Sequence, residues 1–62
     1  MEPKNYVVSK IEGEYAYLKD LDNPSAEDLF IAMALLPCGV DEGSLLRYEM
    51  LTYTLEEEGG NT

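Results

Sequence analysis

The segment Leu35-Leu36-Pro37-Cys38-Gly39-Val40-Asp41-Glu42-Gly43-Ser44-Leu45-Leu46 limits the choice of fold more than any other in this chain. An apolar run stops at Pro37, which lacks a backbone donor and fixes φ, so regular structure cannot continue through it. Gly39 and Gly43 then bracket an acidic turn, and glycine is the residue that most readily takes the positive φ a sharp reversal needs. The chain becomes apolar again at Leu45. The segment is therefore a corner joining two halves of one small domain.

Size sets the next bound. A chain of 62 residues buries only about 60% of its unfolded surface and is stable by a few kcal/mol. Such a core leaves little room for a deep substrate pocket, which typically spans about 300–1,000 Å³. Four basic residues stand against 13 acidic ones, for a net charge of -9, and there is no histidine. Nucleic-acid affinity rests on Lys and Arg neutralising phosphates, so this composition disfavours nucleic acid and anionic membrane and favours a basic protein surface. The lone Cys38 points to a reducing cytosol rather than a disulfide-bonded secreted fold. No apolar run nears the ~20 residues of a membrane span, and Met1-Glu2-Pro3-Lys4 does not open a signal peptide.

Read in order, residues 1–4 form a flexible leader, 5–55 a single small β domain and 56–62 an acidic flexible tail. Tyr6 to Ile11 is rich in β-branched residues and reads as a strand, with Val7 and Ile11 on one face and Tyr6, Val8 and Lys10 on the other. Glu12-Gly13-Glu14 is a hairpin turn. Tyr15 to Asp20 is the return strand, its Ala16 and Leu18 facing the core and its tyrosines along a half-exposed face. Asp20 to Ser25 is a loop broken by Pro24. The next segment carries two patterns. Ser25 as N-cap, Glu27 and Asp28 in the first turn, and the Leu29, Ala32, Met33, Leu36 spacing suit a helix over 26–36. Read as a strand, Leu29, Ile31 and Met33 share one face. Asp41 to Ser44 is a turn, and Leu45 to Leu55 reads as one long strand. The apolar phase of that strand slips by a residue between Met50 and Leu51, as at a β-bulge or bend.

Ile11-Glu12-Gly13-Glu14 followed by Ala16 and Leu18, then Leu35-Leu36-Pro37-x-Gly39-Val40, then Glu42-Gly43-x-Leu45-Leu46 together resemble the short bacterial domains of domain-of-unknown-function family 3006, over roughly residues 6–50. The resemblance implies a compact, mostly antiparallel β fold whose middle segment is a strand over 28–33 and a turn over 34–37. Domains of this kind also occur appended to metallo-β-lactamase-like domains, which implies an accessory role. The family assigns no catalytic residue. The expected fold is thus mostly β, a small open antiparallel barrel (SH3-like or OB-like) with one short helical turn near residues 34–37. The alternative is an α+β fold with a helix at 26–36 packed on a sheet.

No catalytic, cofactor or metal site is expected. Asp20, Asp22, Asn23, Glu27 and Asp28 cluster oxygen ligands, but Pro24 interrupts them and the glycine of a calcium loop is missing. Cys38 sits between Pro37 and Gly39, the nearby Asp41 and Glu42 disfavour a thiolate, and there is no histidine to act as its base. Glu12 and Glu14 flank a turn glycine and suit solvent better than acid–base work. The five tyrosines supply rigid amphipathic area of the kind interfaces use, and Tyr15, Tyr17 and Tyr6 are the candidate partner contacts. The sequence thus points to a cytoplasmic, non-catalytic protein-interaction or accessory module with an unidentified, basic protein partner. The alternative is an acidic decoy that occupies another protein's nucleic-acid-binding surface. Open barrel edges would also allow two copies to pair.

Overall fold

Gly13 sets the first reversal. In the computed structural model, which describes residues 2–56, it takes φ +58° and Glu14 does not follow it into positive φ. That combination is the glycine-first, type II′ hairpin turn whose twist suits two flanking strands. The turn joins β1 (Lys4–Glu12) to β2 (Tyr15–Asp20), paired from Tyr6↔Asp20 to Glu12↔Tyr15. β3 (Leu29–Ala32) follows, then a 3-10 turn at Met33–Leu35, then β4 (Leu45–Glu49) and β5 (Thr52–Glu56). The described residues form one antiparallel sheet in the order β3-β2-β1-β4-β5. β1 is its centre, pairing with β2 along most of its length and with β4 over Lys4 to Val7.

The fold is therefore mostly β, as expected, with the helical turn slightly ahead of residues 34–37. The helix over 26–36 does not form. Ser25 bonds the Asn23 side chain (3.1 Å) instead of capping a helix, and Asp28 accepts from the Ser9 hydroxyl (2.9 Å). Leu29 to Ala32 instead satisfies the outer side of β2, and the chain turns at Met33, whose N–H donates to the Glu14 carbonyl at 2.8 Å. Local helix propensity is worth only tenths of a kcal/mol per residue, so a strand partner overrides it.

Two phase assignments are corrected. The β1 register shifts between Val8 and Lys10. This bulge at Ser9 puts Val8 and Ile11 on the same, core-facing side, not on opposite faces. Leu45 to Leu55 is not one bent strand. Met50 and Leu51 form a two-residue turn between β4 and β5, with φ +54° and +65°.

The core lies on one face of the sheet. Val8, Ala16, Leu18, Ile31, Leu36 and Leu46 are buried, and Tyr6, Ile11, Met33, Val40, Tyr53 and Leu55 pack around them. Leu36 and Val40 come from the corner, which crosses this face as a lid because Gly39 and Gly43 reverse the chain at φ +91° and +90°. Loop 41–44 also does the work of a missing strand beside β1. Val8 N–H donates to the Ser44 carbonyl (2.9 Å), Gly43 N–H to the Val8 carbonyl (2.8 Å), and Ile11 N–H to the Glu42 carboxylate (2.8 Å). Lys4, expected in a leader over 1–4, is instead the first residue of β1 and pairs with Tyr48. Glu56, expected to open the tail over 56–62, is instead the last residue of β5, and 57–62 lie outside the described residues.

Candidate functional site

The sheet does not close. β3 and β5 are its two edges, and between them on the core face runs an apolar groove of about 540 Å³. Ile31 of β3 and Leu36 form its inner part, Leu35 and Pro37 one wall, and Tyr48, Leu51, Thr52 and Tyr53 of the β4–β5 hairpin the other. Each wall has a local cause. Pro37 ends the 3-10 turn and leaves Leu35 66% exposed. The turn at Met50 and Leu51 holds both residues in the left-handed region, leaving them 79% and 78% exposed. Asn or Gly is usual at such positions, and a non-glycine residue there costs roughly 1 kcal/mol or more.

Tyr48 and Tyr53 sit across from each other on β4 and β5, ring centroids 4.6 Å apart, and Tyr6 lies 6.3 Å from Tyr53. Burial, together with the neighbouring Tyr6 and Tyr48, raises the Tyr53 phenol above its ordinary value. Two of this trio, Tyr48 and Tyr53, line the groove, and Tyr6 packs next to Tyr53.

The three tyrosines expected to make contacts are thereby separated. Tyr15 and Tyr17 point to the opposite, outer face, where both pack on Phe30 of β3 at 4.9 and 5.0 Å. Tyr6 faces the core side. Leu35, Leu51, Tyr48 and Tyr53 were not singled out from the sequence. The signal was present in the phase slip at Met50 and Leu51, where two large apolar residues occupy a turn.

The acidic loop is spent on structure. Asp20, 7% exposed, accepts N–H bonds from Asp22 (2.8 Å) and Asn23 (3.1 Å) and contacts the Lys4 ammonium at 3.4 Å. Burial alone would raise its pKa; the Asp22 N–H, Lys4 and the Asn23 N–H outweigh that and hold it below the ordinary value. The Asp22 carboxylate accepts the Asn5 N–H at 3.1 Å. These carboxylates do not converge, and no metal-ligand cluster occurs among the described residues. Glu12 pairs with Lys10 at 3.1 Å. Cys38 is an exposed free thiol on the corner, and no described helix is long and apolar enough to cross a membrane.

In comparisons with known proteins, no family model, no curated protein and no solved structure matches the chain. The resemblance to domain-of-unknown-function family 3006 expected from the sequence gains no support from these comparisons.

Proposed function

We propose that this chain is a non-catalytic protein-interaction or accessory module that docks its partner in the groove between β3 and the β4–β5 hairpin. The observation that carries this reading is the hairpin tip. Met50 and Leu51 are held in water in a backbone conformation that disfavours them, an arrangement that stability alone would remove. Strain of this kind persists where a function uses it. The groove beside the tip is apolar and lacks a nucleophile–base pair, which supports binding over chemistry. The exposed Cys38 thiol supports a reducing compartment such as the cytoplasm. The decoy reading is weaker, because Asp20, Asp22, Asp28 and Glu42 hold internal hydrogen bonds rather than lining one face as phosphate mimics.

Affinity capture from the source cells tests the reading, using the wild-type chain and a Leu51→Ser variant, each with and without nuclease. A stoichiometric protein that survives nuclease and is lost with Leu51→Ser supports it. Capture of nuclease-sensitive material alone, or of the same protein by both chains, counts against it.

A further inference from the structure

Resting on that reading, we infer that the groove takes an extended, lysine- or arginine-flanked peptide, which adds to the edge of β5 as a sixth strand and places alternate apolar side chains between Leu35 and Leu51.

The backbone of β5 supplies the first reason. Glu49↔Thr52 closes a two-residue hairpin and is a hydrogen-bonded pair, so bonding and non-bonding pairs alternate from there: Arg47↔Thr54 bonds, whereas Tyr48↔Tyr53 and Leu46↔Leu55 do not. The N–H and C=O groups of Tyr53 and Leu55 therefore point away from β4, and no strand of the sheet lies beyond them. Natural edge strands are blunted by lysine, proline or a bulge. Thr52-Tyr53-Thr54-Leu55-Glu56 has no lysine, proline or bulge, and its one charge, Glu56 at the end of the strand, lies 3.8 Å from Arg47. An unblunted edge beside an apolar groove is the geometry of strand addition, in which main-chain bonds give affinity and pockets read alternate side chains.

Charge names the kind of chain that fits. Lys4 is paired with Asp20, Lys10 with Glu12, and Arg47 with both Glu49 and Glu56. Only Lys19 of the four cations has no ion pair among the described residues, against a net charge of -9. A second copy would bring another -9 to the same edge, and a phosphate-bearing polymer meets the same repulsion. A peptide with cationic flanks is drawn in instead.

The test is selection of a displayed random peptide library on the full chain. The expected binders carry alternating apolar residues, flanking Lys or Arg and no internal proline. Leu51→Ser should weaken them about tenfold or more, and binding should slow amide exchange at Tyr53 and Leu55. N-methylation of every second peptide amide should abolish binding in one register and spare it in the other. An absence of binders, or binders that are anionic, proline-rich, or indifferent to Leu51→Ser and to N-methylation, would overturn the inference. So would self-association of the free chain through β5, seen as a concentration-dependent mass and protected Tyr53 and Leu55 amides. If the lysate partner is still lost with Leu51→Ser while no strand-forming peptide binds, the module reading stands and strand addition alone fails.

Discussion

Tyr15 lies nearly flat on Phe30, ring centroids 4.9 Å apart and planes 17° from parallel. The two are diagonal neighbours across β2 and β3, since Tyr15 pairs directly with Ala32 and Phe30 with Tyr17. Diagonal aromatic neighbours on one face of a sheet are within reach of each other. The contact fastens the short edge strand β3 from outside while Leu18 and Ile31 hold it from inside. Tyr15→Ala should lower stability by about 0.5–1 kcal/mol, read as a fall in urea midpoint. Capture of a groove-bound partner should be unchanged.

Asp20 makes the fold acid-sensitive. Its carboxyl is held below the ordinary Asp value by the Asp22 N–H, Lys4 and the Asn23 N–H, in spite of burial. The unfolded chain therefore takes up a proton at this group before the folded one does. The stabilisation is complete above pH ~4, the unfolded value, and is lost as pH falls from there through the lower folded value. Thermal melts from pH 7 to pH 3 should show Tm falling in that window, with a shallower fall in Asp20→Asn.

Tyr53 acts at the other end of the scale. Its phenol is raised by burial and by Tyr6 and Tyr48, so the folded state favours the neutral form. The resulting stability is present below pH ~10 and is lost as pH rises through the higher folded value. Alkaline absorbance titration should show a phenol ionising above the ordinary tyrosine value, and that step should disappear in Tyr53→Phe.

Glu42 replaces a strand with a side chain. Its carboxylate takes the Ile11 N–H at 2.8 Å, beyond the reach of the β1–β4 ladder. Glu42→Ala should cost about 1 kcal/mol, or roughly 4–8 °C in Tm for a domain of this size. Hydrogen exchange should accelerate at Ile11 more than at Leu18.

What the sequence disclosed follows from which residues act locally. Gly13, Gly39 and Gly43 encode their own reversals, and the alternation around Ala16 and Leu18 marks the inward face of β2; all of these are as the sequence implies. The stretch from Leu29 to Leu36 satisfies helix and strand patterns alike. Only the unpaired side of β2, a partner distant in sequence, decides between them. The Ser9 bulge was hidden because no glycine marks it, and it shifted the apparent face of Ile11. The second hairpin was hidden for the opposite reason: its turn carries Met50 and Leu51, where turn chemistry calls for Asn and Gly. The candidate groove was illegible along with it, since one wall is that hairpin and the other is the corner.

That turn gives the sharpest prediction. Two left-handed residues without a glycine cost roughly 1 kcal/mol or more each, and neither Met50 nor Leu51 recovers it through burial, being 79% and 78% exposed. Replacing both, Met50→Asn with Leu51→Gly, supplies the residues a type I′ turn prefers. The loss of exposed apolar side chain should cost the monomer little. The double variant should therefore be more stable than wild type by about 1–2 kcal/mol, measured as a higher urea midpoint with unchanged slope. If Met50 and Leu51 serve only to link β4 and β5, partner capture should be untouched by the change. If they form the wall of a docking groove, the more stable chain should be the one that no longer binds, and that opposition of stability and binding is the expected result.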